Sequence, residues 1–318
     1  TGKTGSGKSE LLKTLIYRDI LNEDCSVILL DIHGDLAKDA ARLVKDKERL
    51  VLIDPILEKD FTPTINIFET DDKSEENIEQ ISQMISSVIS SISVDDKLSG
   101  TMIDLLENCI PVLIRIGNKN FYELKRFMKI VKPEVEKDEI ITIHDYRYTD
   151  DKKYNDLIRH ATFGSSKFEK EYFEDEFIGV ADSTKRAIKR RLNKILKDSK
   201  FSNLTNGKNT VDLQKEMNTK GKIIIFNIPK SKMLSTYTYY IKFIIGLIQI
   251  IALKRADIKD EKKRPHTHLY IDEFHNFITP TIEEILAESR KYKLFLTLAH
   301  QSVSQIKDSN LRDIILDN

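Results

Sequence analysis

Gly2-Lys3-Thr4-Gly5-Ser6-Gly7-Lys8-Ser9 opens the chain and meets the spacing G-x-x-x-x-G-K-[ST] at every fixed position. Glycines in such a stretch let the backbone curl closely around phosphates. Successive N–H groups and the start of the next helix supply positive potential. Lys8 is spaced to reach the β- and γ-phosphates, and the Ser9 hydroxyl to ligate Mg²⁺. Gly2, Thr4, Gly5, Ser6, Gly7, Lys8, Ser9 and Glu10 are therefore the expected nucleotide contacts, with ATP and Mg²⁺ as the ligands. The surroundings favour this over a chance match in a glycine-rich turn. A helical run from Glu10 to Leu21 follows, then the apolar run Ser26 to Leu30.

Outward from the loop, that apolar run has the length of a strand covered on both faces. It ends in Asp31-Ile32-His33-Gly34-Asp35-Leu36, a polar turn at the edge where open α/β sheets bind ligands. A helix is predicted from Leu36 to Val44, and a strand at Leu50–Ile53 closing on Asp54-Pro55. Strand, helix and strand of these lengths predict a doubly wound, mostly parallel sheet. From Ser74 onward apolar residues recur at helical spacing (Ile78, Ile81, Ile85, Val88, Ile89, Ile92) and strand signals fade. Such a stretch is too long for a loop and predicts an all-α insertion. Sheet signals return at 222–227, 268–271 and 294–298, with helices predicted over 236–255 and 282–292. The expected division is 1–73 and 201–318 for the two parts of the core, with 74–200 as the helical subdomain.

Composition narrows the function classes. The chain has 318 residues, 40% hydrophobic and 32% charged, which describes a folded soluble protein rather than a disordered one. Its 51 basic and 51 acidic residues cancel, so any polyanionic partner must be held by a local patch. Cys25 and Cys109 lack metal-ligand spacing and are expected to be reduced core residues of a cytoplasmic protein. The apolar run Phe243–Leu253 is short for a bilayer and reads as a buried helix. The chain lacks the strand that ordinarily precedes such a loop and does not start with methionine. It is therefore expected to be a piece of a longer protein, with any membrane anchor lying outside it.

Leu269-Tyr270-Ile271-Asp272-Glu273 is an apolar strand ending in two acids. Downstream of a phosphate-binding loop this is the Walker B form. Asp272 would hold Mg²⁺ through water, and Glu273 would polarise the water attacking the γ-phosphorus. Gln301, following Leu294–Leu298 and Ala299-His300, is placed to sense the γ-phosphate. Arg290, ahead of that strand, offers a guanidinium for transition-state charge. Ring motors commonly supply such a group from the next subunit. Residues 183–200 carry Lys185, Arg186, Lys189, Arg190, Arg191, Lys194, Lys197 and Lys200 on what reads as an amphipathic helix. Its basic face could neutralise DNA phosphates, contact nucleotide or a neighbouring protomer, or simply be solvated.

With GKTGSGKS, VILLDIHGDLA (27–37), LVLIDP (50–55), YIDEFHNF (270–277) and ESRKYKLFLTLAHQSVSQI (288–306) in this order, the chain resembles the FtsK/HerA superfamily of pumping ATPases. Within it, the nearer likeness is to TraG/TraD-like conjugative coupling proteins of type IV secretion. The resemblance implies a RecA-like P-loop NTPase fold and a homo-hexameric ring moving DNA through pore loops, with type IV secretion components as partners. It assigns nucleotide and metal binding to Lys8 and Ser9, Walker B to Asp272 and Glu273, the sensor to Gln301 and the trans arginine to Arg290. It also implies that the last core elements lie beyond Asn318. The leading expectation is a cytoplasmic DNA-translocating ATPase, membrane-associated only through segments outside this chain. An assembly ATPase powering protein export and a non-motor ATP-binding assembly protein are the alternatives, although a binding-only site has no use for the carboxylate of Glu273.

Overall fold

The computed structural model describes residues 7–58, 61–92, 98–131, 151–163, 167–233, 235–277, 289–300 and 312. The chain divides into two compact units, 1–65 with 209–318, and 66–208.

The first unit is a parallel α/β sheet. Helix α1 (Lys8–Leu21) starts behind Gly7, whose φ of 81° suits glycine, and buries Leu12, Ile16 and Ile20, a stripe at a spacing of four. Strand β1 (Cys25–Asp31) is buried at every position. Helix α2 (Asp35–Leu43), strand β2 (Leu50–Ile53), and later strand β3 (Ile223–Asn227), β4 (His266–Ile271) and β5 (Leu294–Leu298) complete the frame. The strand order is β2-β3-β1-β4-β5, and all four pairings are parallel. Val27 and Leu29 of β1, with Ile223, Ile225 and Tyr270, form one core with α1 and α2. Ile28 and Leu30 point to the other face and are equally buried, so both faces are covered. Gly221 ahead of β3 has φ 75°, and a Cβ there would lie 2.6 Å from the Glu23 carbonyl oxygen, so only glycine fits.

The predicted strands lie within a residue or two of the observed ones. The helix predicted over 236–255 is present. It runs Thr236–Leu253, and with the turn after it is long and apolar enough to cross a membrane, but 67% of its apolar window is buried in the fold. It is a core helix. Its far end carries Arg255, which is 1% exposed. The predicted helix at 282–292 falls largely outside the described residues; its last turn, Ser289–Tyr292, is a short 3₁₀ turn stopped by Lys293 at φ 58°.

The second unit is helical: Glu75–Ser90, Gly100–Ile116, Phe121–Phe127, Lys152–Phe163, Lys167–Glu171, Asp182–Leu196 and Ser199–Thr205. Two aromatic clusters hold it, Phe68–Phe121–Phe201 and Phe127–Phe173–Phe177. Arg115 joins three segments by pairing with Glu75 and Glu169.

Candidate functional site

The site is built from strand ends. In a parallel sheet all C-terminal ends share one rim, and β1 and β4 are neighbours with Leu30 opposite Ile271. Asp31 and Asp272 therefore lie side by side on that rim, and the Asp272 amide donates to the Leu30 carbonyl at 3.3 Å. The Asp31 carboxylate is fully buried and accepts from the amides of His33 (2.8 Å), Gly34 (3.0 Å) and Ala37 (2.8 Å). It thereby turns the chain into α2 and places negative charge at that helix's N-terminus. Gly34 makes the turn at φ 94°.

Helix α1 reaches the same rim. It contacts β1 and β4, and near its C-terminus Asp19 binds Nδ1 of His268 and the hydroxyl of Tyr270, in the body of β4. From Asp19 back to Lys8 is eleven helical residues, roughly 16 Å. From His268 forward to Asp272 is four strand residues, about 13 Å. Two segments tied at one end thus reach a similar height at the other, which turns the N-terminal end of α1, where Lys8 and Ser9 stand, toward the rim that carries the acidic pair. Of the loop, Gly7, Lys8, Ser9 and the following Glu10 are described; Gly2, Thr4, Gly5 and Ser6 lie outside the described residues.

The acids have distinct surroundings. Asp272 is half-buried; burial, followed by the charges of Asp31 and Glu273, raises its pKa above the usual carboxylate value, while the Glu273 amide and His33 act against this. Glu273 is 9% exposed and sits at φ 52°, ψ 41°, a left-handed backbone uncommon outside glycine. Its amide donates to Asp272 Oδ1 at 2.9 Å, and its carbonyl accepts from the Asn276 backbone and side chain. His275 Nδ1 lies 3.5 Å from Glu273 Oε2. A non-glycine residue held in this conformation by its neighbours is a mark of functional sites. The end of β5 is stitched to this turn: Ala299 donates to Ile271 (2.9 Å) and accepts from Phe274 (3.0 Å). His300 packs edge-on against the Phe274 ring. Gln301 lies outside the described residues.

The oxygen donors fit magnesium. Ser9 and Asp272 are hard ligands, and Asp272, whose pKa is raised first by burial and then by the charges of Asp31 and Glu273, is an acid that a divalent cation would hold ionised.

Arg290 is exposed and precedes β5. It therefore lies at the N-terminal edge of the sheet, the opposite end from Asp272, a strand length of roughly 16 Å away.

The basic stretch needs correction. It is not one helix: α8 (Asp182–Leu196) ends, and Asp198 caps α9 (Ser199–Thr205). Lys185 and Arg191 face inward, at 3% and 5% exposure, the Lys185 ammonium lying 4.1 Å from the centre of the Phe177 ring. Lys194 donates to the Ile92 carbonyl. Within a helical period, positions three and four apart share a face, so an unbroken basic run must send some members inward. What stays outside is a groove of about 390 Å³ lined by Ser183, Arg186, Lys189, Arg190 and Asn193.

The Asp19 linkage to β4 was not foreseen. Its signal is the alternation His266, His268, Tyr270, which puts three polar-tipped side chains on one face of an otherwise apolar strand.

Comparison with known proteins bears on the family and the fold. A family profile described as "Helicase HerA, central domain" matches residues 1–248. The chain belongs to the HerA helicase central-domain family. A second profile, described as the TraM recognition site of TraD and TraG, matches residues 266–316. This HerA-type chain matches no curated protein. Among solved structures it resembles plasmid coupling protein TrwB in complex with the non-hydrolysable GTP analogue GDPNP (TM-score 0.62, 18% identity, 99% of this chain and 66% of that one). It also resembles TrwB with the ATP analogue ADPNP (0.63, 18%, 99% and 67%) and VirB4 of Thermoanaerobacter pseudethanolicus (0.52, 17%, 98% and 71%). The HerA-type chain spans about two-thirds of the TrwB chains. Its fold is thus the RecA-like α/β fold of TrwB, and the likeness to TraG and TraD rests on the second profile, over residues 266–316.

Proposed function

We propose that this chain is the ATP-hydrolysing core of a ring-forming motor that moves DNA in a conjugation or type IV secretion system. The reading rests on the acidic pair that ends β4 together with helix α1, which starts at Lys8 and Ser9 and packs on β1 and β4. Lys8 and the amides of the opening loop hold the phosphates. Ser9 and Asp272 are the residues that would hold Mg²⁺, which when bound would offset the charge of the phosphate oxygens. Glu273, its backbone fixed by Asn276 and its carboxylate near His275, orients water and accepts its proton. Arg290, at the far edge from its own rim, serves the nucleotide of a neighbouring subunit. Gln301 reports phosphate loss. Arg186, Lys189 and Arg190, which line the groove on α8, are the cations placed to neutralise a DNA backbone.

A second reading changes only the cargo: the same nucleotide-driven motor powering protein export. ATP turnover measured with and without DNA of graded length, across protein concentration, separates them. The DNA motor predicts turnover per subunit that rises with DNA length and with protein concentration. Turnover indifferent to DNA would favour the export reading, and full turnover by separated monomers would remove Arg290 from the mechanism.

A further inference from the structure

At the end of the sheet away from the nucleotide rim, three side chains of different elements converge. Asp19 comes from the last turn of α1, Cys25 opens β1 and His268 lies on β4. One ligand atom from each, a carboxylate oxygen, Sγ and a ring nitrogen, lies within 4.8 Å of both others. We propose that Asp19, Cys25 and His268 form a binding site for a divalent transition-metal ion of the zinc class.

The donor set carries the chemistry. A thiolate and an imidazole select zinc, cobalt or nickel over magnesium and calcium, which take oxygen ligands. Bond lengths of about 2.3 Å to sulfur and 2.0–2.2 Å to nitrogen and oxygen require ligand atoms roughly 3.3–3.8 Å apart. Asp19 and His268, hydrogen-bonded to each other in this structure, would part to that spacing around an ion, with the Cys25 Sγ within 4.8 Å of both. Tyr270 donates to Asp19 Oδ2 at 2.5 Å, the outer support that fixes a ligating carboxylate. Access also fits. Cys25 is 3% exposed, whereas the Asp19 and His268 side chains are 18% and 28% exposed, leaving an open side for entry and for a fourth ligand. His266, opposite Cys25 in the strand register and with its ring centroid 5.2 Å from that of His268, stands beside that opening. An ion here would staple the end of α1 to β1 and β4, below the rim those elements serve.

The test is Co²⁺ titration of the intact chain without nucleotide or magnesium. Expected are one equivalent bound, a near-ultraviolet thiolate-to-cobalt band, and displacement of that band by Zn²⁺. Cys25→Ser should abolish the band, and His268→Gln and Asp19→Asn should each weaken binding by about tenfold or more. Cys109→Ser, in the other unit, should leave it intact. Zinc-edge X-ray absorption on the wild type gives a reading independent of variant folding, with one sulfur at about 2.3 Å expected. A first shell of nitrogen and oxygen only, a band that survives in Cys25→Ser, or no binding by the wild type would overturn the proposal and leave a hydrogen-bonded clamp.

Discussion

Tyr270 donates its hydroxyl to the Asp19 carboxylate at 2.5 Å, and His268 binds the same oxygen. The linkage joins the helix that starts at Lys8 to the strand that ends at Asp272, so rim geometry is set partly from the far end of the sheet. Removing the Tyr270 hydroxyl should cost about 1–2 kcal/mol, and Asp19→Ala about 2–3 kcal/mol, measured by denaturant unfolding. Burial works to raise Asp19, but hydrogen bonds from His268 and Tyr270 outweigh it and hold the carboxyl below its usual value. Its stabilising contribution is therefore complete above the unfolded value of 3.8 and fades as pH falls below it. An unfolding series whose acid arm is unchanged in Asp19→Ala would contradict this.

Asp272 has the opposite sign. Its pKa is raised, so its carboxylate penalises the magnesium-free fold once pH exceeds the unfolded value of 3.8. Asp272→Asn should raise the melting temperature at neutral pH, and the gain should vanish in acid. The same variant should lose magnesium-dependent hydrolysis. This is the trade of stability for activity expected of a functional acid.

Arg255 is a buried cation with no carboxylate partner among the described residues. It donates to the carbonyls of Met217, Pro265 and Tyr292, to Asn218 Oδ1 and to Thr267 Oγ1. Those acceptors belong to the start of β4, the approach to β5 and the short helix ahead of β3. Arg255→Met should cost at least about 3 kcal/mol, because several acceptors are left unpaired at once. Arg255→Lys should recover only part, since three donors cannot fill five bonds. Equilibrium unfolding of the three proteins checks the order.

The groove on α8 predicts a salt signature. Converting Arg186, Lys189 and Arg190 to alanine should weaken DNA binding uniformly across sequences and lower the slope of log affinity against log salt by about 2–3. An unchanged slope would remove α8 from the DNA path.

Most of the sheet was legible because its strands are unbroken apolar runs between polar turns, as Cys25–Asp31 and Ile223–Asn227 show. The place of the acid pair at the end of β4 was legible because the two acids close an apolar run. What escaped depends on three-dimensional facing. Lys185 and Arg191 read as surface cations because composition does not say which side of a helix is covered. Asp19 drew no notice because its partners are some 250 residues away. Asp31 was visible as a turn residue, but its three amide partners and its pressure on Asp272 appear only once β1 and β4 are neighbours.

Glu273 gives a kinetic check. Glu273→Gln should keep nucleotide affinity within a few-fold and lower turnover by about 10²–10⁴, whereas Lys8→Ala should lose nucleotide binding itself.

The most direct measurement is a structure of the chain with Mg²⁺ and a non-hydrolysable ATP analogue. The account predicts one ion bound to Ser9 Oγ at about 2.1 Å and reached by Asp272 through a coordinated water, with the Glu273 carboxylate facing the γ-phosphate. A nucleotide seated with its ion out of reach of Asp272, or the loop and the acids opening onto separate pockets, would contradict it.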